Sequence, residues 1–245
     1  MLYRKWKIKQ SSRTRVRSLQ NRLGIPKLAA RVLCSKGITE PEKAKKVFLE
    51  DTPLSDPYLM LDMDKAVERI TRAIENEEKI VVYGDYDVDG VCSAAVLFSH
   101  LENLGANVFY KLPNRETEGY GMNKAVIKRL ADLGVSLIIT VDNGIAALEE
   151  VDLANELGID VVVTDHHLPK ETLPKAYAVV DPLRPGDESP CKILAGVGVA
   201  FKLVCALDGG SCEEMLDFYA DLVAVGTVAD LMLLQDENRT IVKAG

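Results

Sequence analysis

The sequence predicts an α/β fold: a mainly parallel, doubly wound sheet with a small helical region in front of it. Three observations carry this expectation. Short runs rich in Val and Ile recur at residues 79–83, 136–141 and 159–164. These runs are continuously apolar, with no polar alternation, which marks strands covered on both faces. Segments with helical spacing stand between them, the order that builds βαβ units and parallel strands.

Residues 25–49 read as helical in two pieces. The second piece opens with Thr39 as cap and Pro41 in the first turn, followed by acids. Pro53 and Pro57 then mark a loop. A helix is predicted over 64–77, with Ala66, Ile70, Ala73 and Ile74 on one face. Strands over 79–83, 108–112, 136–141 and 159–164 alternate with helices over 91–104, 123–133 and 147–157. A further strand over 176–180 and helices over 198–207 and 212–225 follow. The resulting organisation is a basic helical region, 1–60, and an α/β domain, 61–245.

With 245 residues, 47% hydrophobic and 27% charged, the chain has the composition of a globular protein able to bury a core. No apolar run reaches membrane-spanning length, and the start lacks the apolar block of a secretory signal. No two of the five cysteines, Cys34, Cys92, Cys191, Cys205 and Cys212, stand as C-x-x-C. That excludes a zinc knuckle and a thioredoxin-like pair, and it fits five buried thiols in a reducing cytoplasm.

The net charge of −7 hides an asymmetry. Residues 1–39 contain no Asp or Glu but eleven of the 30 basic residues, which leaves 19 to face all 37 acids in the rest of the chain. A basic head on an acidic body suits a phosphate-rich polymer at one end and metal ions at the other. A solvated arm or an organelle transit peptide would share the composition of the head.

In a doubly wound sheet, ligands sit beyond the carboxyl ends of the strands, and acids fall there. The first strand runs into Gly84-Asp85-Tyr86-Asp87-Val88-Asp89-Gly90, the 136–141 strand into Asp142-Asn143-Gly144, and the 159–164 strand into Asp165-His166-His167. Near the end of the chain, Gly226-Thr227-Val228-Ala229-Asp230 again leads from an apolar stretch to an Asp. Asp85, Asp87 and Asp89 lie two residues apart, so an extended loop would turn them to one side. Converging carboxylates repel unless cations offset them. Oxygen donors with one or two imidazoles favour manganese or magnesium over zinc.

Competing motifs can be weighed. An EF-hand loop starting at Asp85 needs Glu at its twelfth position, which is Val96. No P-loop pattern occurs. Asp87-Val88-Asp89-Gly90-Val91 matches the nucleophile motif of haloacid-dehalogenase-type phosphatases, but that chemistry has no use for Asp-His-His at a later strand end. Gly196-Val197-Gly198 opens a helix, where its N–H groups could hold a phosphate or simply form a tight turn.

Taken in order, GDYDVDG, VDNG, TDHH and GTVAD resemble the four motifs of the DHH phosphoesterase superfamily. Segments 112–115, 117–121, 194–203 and 238–242 extend the resemblance to the RecJ-type single-strand-specific exonucleases. The resemblance implies two-metal hydrolysis of single-stranded DNA in the 5′→3′ direction, releasing 5′-mononucleotides in DNA repair and recombination. The cofactors would be two divalent cations, manganese favoured and magnesium the alternative. The partners would be single-stranded DNA, a helicase or single-strand-binding protein, and no membrane. An activity on short oligonucleotides or cyclic dinucleotides is the alternative.

Carried over, Asp85, Asp87, Asp89, Asp142, His166 and Asp230 are the metal ligands, with Asp142 bridging. His167 would contact the scissile phosphate and Asp165 would orient a neighbouring ligand. Arg115, Tyr120 and Arg239 would bind substrate, together with residues of the basic head. Two departures stand out. Tyr83 occupies a position where many relatives carry His, which shifts a ligand role toward Asp85. The family's second catalytic-core domain is also absent from this sequence, so the expectation is an N-terminal catalytic portion with impaired processive activity.

Overall fold

The computed structural model describes residues 10–114, 119 and 121–245, and they fall into two compact units divided between Thr52 and Pro53. In the first unit, α1 (Arg13–Leu23), α2 (Lys27–Ser35) and α3 (Pro41–Phe48) enclose Val16, Leu19, Ile25, Ala30, Leu33, Cys34 and Ala44. Gly24 closes α1 with a left-handed φ of 64°, and Pro26 leads into α2. The sequence reading drew its boundary at 60/61. The intervening loop instead packs with the second unit: Lys202 donates to the Ser55 carbonyl (2.7 Å) and the Tyr58 hydroxyl to the Ala206 carbonyl (3.1 Å).

The second unit is ordered α4 (Met63–Glu75), β1 (Ile80–Tyr83), α5 (Val88–Asn103), β2 (Val108–Lys111), α6 (Lys124–Asp132), β3 (Leu137–Val141), α7 (Leu148–Glu156), β4 (Asp160–Thr164), β5 (Ala178–Val180), α8 (Gly196–Leu207), α9 (Cys212–Ala229) and α10 (Asp236–Ala244). The five strands form one all-parallel sheet in the order β2-β1-β3-β4-β5. From β1 the chain winds outward to β2, then crosses back to β3 and continues the other way. The β1/β3 boundary is therefore the switch point, where loops leave in opposite directions and open a crevice.

Strand residues divide between the two faces with period two. Ile80, Val82, Leu137, Ile139, Val141 and Val162 join the larger core beneath α4, α5, α8 and α9. Val81, Tyr83, Ile138, Val161 and Val163 join a second core with Val126 and Ile127 of α6 and Val151 and Ala154 of α7. Burial on both faces explains why the strands read as unbroken apolar runs. In-register pairing, Tyr83 beside Thr140, Thr140 beside Val163 and Thr164 beside Val180, brings the carboxyl ends to one rim.

All five cysteines are buried thiols, as expected. No helix among the described residues is long and apolar enough to cross a membrane.

Candidate metal centre

Three loops and two helix ends deliver the acids to this rim. After β1 the chain turns at Gly84, and Asp87 becomes the N-cap of α5, its Oδ1 accepting the Gly90 N–H at 2.9 Å. The expected extended loop is thus shorter than the sequence suggested. Asp89 already lies in the first turn of α5, because Asp87 is a strong cap for the turn that follows. Gly90 is required here: a Cβ would sit 2.6 Å from the Asp85 nitrogen.

Asp89 is buried and accepts the backbone N–H groups of Gly196 (2.7 Å) and Val197 (2.9 Å). The phosphate cradle considered for Gly196-Val197-Gly198 is therefore filled by a carboxylate of the chain itself. The positive end of α8 holds that charge in place.

Asp142 follows β3 with a left-handed φ of 61°, which costs a non-glycine residue conformational energy and points to a functional constraint. Its neighbour Asn143 is fully buried and donates from Nδ2 to the carbonyls of Tyr83 (3.0 Å) and Val141 (2.9 Å). Asn143 thereby ties the ends of β1 and β3 across the switch point. Sequence reading gave it no role.

The predicted ligands converge. Asp85, Asp87 and Asp142 offer oxygen atoms within 4.8 Å of one another, as do the donor atoms of Asp89, His166 and Asp230. His166 Nε2 joins the two sets, 3.1 Å from Asp142 Oδ1, 3.7 Å from Asp230 Oδ2 and 3.8 Å from Asp89 Oδ2. Asp142, His166 and His167 form a third grouping. Helix α9 runs to Ala229, four residues past the predicted end, and delivers Asp230 as its C-cap.

The next histidine is held differently. Asp165 is buried and accepts the backbone N–H groups of Ile145 (2.9 Å), His166 (2.7 Å) and His167 (3.1 Å), and its Oδ1 also lies 2.7 Å from His167 Nδ1. So occupied, Asp165 acts on His167, fixing the ring so that Nε2 faces away from the carboxylate. Half of the His167 side chain remains exposed.

The electrostatics are those of an acidic cluster awaiting positive charge. Burial, reinforced by Asp89 and Asp87, pushes Asp142 up to about 7. Burial also raises Asp85 and Asp89. His166 is raised to about 9: burial opposes its charge, but Asp142 and Asp89 overcome that opposition. The hydrogen bond that Asp165 accepts raises His167, and despite its burial Asp165 is lowered by His167 and the surrounding N–H groups. Asp85 Oδ1 and Asp142 Oδ1 are buried without an aligned hydrogen-bond donor. Orphaned oxygens on converging carboxylates fit a hard divalent cation.

Three predicted residues remain. Arg115 and Tyr120 lie outside the described residues. Arg239 is half-buried on α10 and makes no ion pair or hydrogen bond with the cluster among the described residues.

Asp181 was missed. It follows β5, is fully buried, and accepts the Leu183 N–H (2.7 Å) through Oδ1 while Oδ2 has no partner. Burial, with the Asp165 charge, raises it to about 7. Val179-Val180-Asp181 repeats the strand-then-Asp pattern that identified the other acids.

A parallel sheet presenting Asp and His ligand sets at its switch point is the architecture of a metal-dependent phosphoesterase. Residues 79–227 match the DHH family, N-terminal domain, and the chain belongs to that family. Within it the chain is similar to RecJ. It is 46% identical over 243 residues to the single-stranded-DNA-specific exonuclease RecJ of Bacillus subtilis, covering 98% of this chain and 30% of that protein. Among solved structures, it superposes on Thermus thermophilus RecJ in complex with Mn2+ with a TM-score of 0.73 at 30% identity, covering 97% of this chain and 34% of that one. A manganese-bound exonuclease RecJ gives a TM-score of 0.70 at 37% identity, covering 79% and 49%. The chain thus spans between a third and a half of these two structures, and 30% of the Bacillus protein.

Proposed function

We propose that this chain carries the hydrolytic centre of a metal-dependent exonuclease acting on single-stranded DNA, with two divalent cations, manganese favoured over magnesium. The observation that carries the reading is the 3.1 Å approach of His166 to Asp142, which joins the Asp85/Asp87 side of the cluster to the Asp89/Asp230 side. Asp85, Asp87 and Asp142 would hold one cation, and Asp89, His166 and Asp230 the other, with Asp142 shared. When bound, the cations supply Lewis acidity at the phosphoryl group and a hydrolytic nucleophile from water at neutral pH.

The chain's own residues do the rest. Asp165 holds His167 oriented and favours its protonated form. His167 Nε2 then donates to a non-bridging oxygen of the scissile phosphate, offsetting charge as it builds. Asn143 and the Asp89–α8 contact keep the two ligand sets in register. The 5′→3′ direction, release of 5′-mononucleotides, a role in DNA repair and recombination, cooperation with a helicase or single-strand-binding protein, and residence in the cytoplasm rest on the likeness to RecJ. So do substrate contacts by Arg115, Tyr120 and Arg239, and the assignment of the second unit, from Pro53, to the phosphoesterase domain behind a basic N-terminal unit.

The test is Asp142→Asn, which keeps the side-chain shape and removes the shared charge. Manganese uptake and hydrolysis of a labelled single strand should both be lost while the far-UV circular dichroism is unchanged. Retained hydrolysis would end this reading, and hydrolysis of dinucleotides alone by the parent chain would redirect it to short substrates.

A further inference from the structure

The N-terminal unit carries a feature that the metal centre does not use. On α1, Arg13, Arg17 and Gln20 fall at i, i+4 and i+7 and so share one face. On α2, Lys27 and Arg31 are again four apart. Both faces line a single cavity of about 970 Å3 with Val16 buried in its wall, and no acidic side chain is among its described lining residues. All four cationic side chains are exposed, and among the described residues no carboxylate pairs with any of them.

This arrangement works against helix stability. Arg13 opens α1 and Lys27 opens α2, where the positive end of the helix dipole disfavours a cation, and neither first turn contains an acid. Arg13/Arg17 and Lys27/Arg31 are like-charge pairs at helical spacing, which are destabilising. Charges gathered in one concavity against both rules indicate a polyanionic ligand.

We infer that the α1–α2 cleft of the N-terminal unit is a separate binding site for the phosphodiester backbone of single-stranded DNA. The choice of DNA rests on the function proposed above; the cationic character of the cleft does not. The described lining residues offer cations and amides to phosphates, and no aromatic ring is among them to stack on a base. The volume lies within the span of about 300–1,000 Å3 usual for ligand sites. Binding there is independent of sequence and strongly salt-dependent.

The test uses the full chain in EDTA, so the metal centre contributes no cation. Binding of a fluorescent oligothymidylate is followed by anisotropy from 50 to 200 mM salt for the parent, for Asp142→Asn, and for a variant combining Arg13→Gln, Arg17→Gln, Lys27→Gln and Arg31→Gln. At about 0.7 per neutralised phosphate, four contacts contribute about 3 to the slope of log affinity against log salt, and about 50-fold in affinity over that range. The fourfold variant should lose that slope while keeping its manganese uptake and melting no lower than the parent. Asp142→Asn should bind the strand as the parent does. Should the fourfold variant not fold, Arg17→Gln/Arg31→Gln should lose about half the slope. Unchanged affinity and slope in the folded variant would overturn the inference. It would also be overturned if DNA binding were unchanged while binding to phosphatidylglycerol vesicles disappeared. Loss of strand binding here with normal hydrolysis by Asp142→Asn would sink only the metal-centre reading.

Discussion

Replacing Gly196 with Ala is the sharpest way to perturb the centre without touching a ligand. Gly196 opens α8, and on helix propensity alone Ala should be better there by up to about 1 kcal/mol. The structure predicts the reverse. A Cβ at this position would lie 2.4 Å from Asp142 Oδ1, 2.5 Å from its Cβ and 2.7 Å from its Cγ. Rotating the carboxylate cannot relieve a contact with Cβ, so backbone must move by about an ångström at a site where Asp89 already clamps the Gly196 and Val197 N–H groups. Overpacking of this kind costs about 1–3 kcal/mol, and a ligand displaced by about 1 Å can lower activity about 100-fold. Manganese affinity by calorimetry should fall at least tenfold, with hydrolysis falling further. Gly198→Ala is the control, since the atoms nearest its Cβ would belong to the Leu194 side chain, at 3.0 Å or more, and it should bind manganese like the parent. Equal manganese affinity in Gly196→Ala and the parent would refute the close approach of α8 to Asp142.

Other outcomes follow from the same geometry. Asp165→Asn keeps one acceptor oxygen, sets an NH2 against the N–H groups that the other oxygen held, and removes the charge that orients His167 and favours its protonated form; hydrolysis should fall about 100-fold or more while manganese content by atomic absorption is unchanged. A loss of metal instead would place Asp165 among the ligands. Asp181 titrates at about 7 when folded against 3.8 unfolded, so the folded state holds a proton that the unfolded state has released. Its contribution is therefore fully favourable below pH 3.8 and fades as pH rises toward 7, at about 1.4 kcal/mol per pH unit. In EDTA, Asp181→Asn should be more stable than the parent by up to about 4 kcal/mol at pH 8 and by much less at pH 5, read from urea melts. A constant difference across pH would contradict the raised value.

Much of this centre could be read from the residues in order, because a parallel sheet places strand ends on one rim and the strands that supply the ligands are short apolar runs closing on an Asp within two residues. What failed was local. The Asp87-Val88-Asp89 alternation suggests an extended loop, yet Asp87 is a good cap and α5 begins at once, which turns Asp89 toward α8. Within the region expected to be helical, α1 itself was not singled out, because its arginines mask the two buried positions, Val16 and Leu19, that anchor it. Helix α10 went unrecognised because its buried face includes Glu237, made acceptable there by Lys202, 2.6 Å away on α8, and by the Ser55 hydroxyl, which donates to it at 2.6 Å. The Gly196 N–H groups looked available for phosphate, since only tertiary contact shows that Asp89 takes them. Asp181 had the same signal as the other acids but follows a strand of just three residues.

The central claim is that Asp142 is shared between two cations. Anomalous diffraction at the manganese edge, from crystals of this chain equilibrated with manganese, tests it most directly. Two peaks should appear, one touching Asp85, Asp87 and Asp142, the other touching Asp89, His166, Asp230 and Asp142. A single peak, or peaks remote from Asp142, would contradict the account.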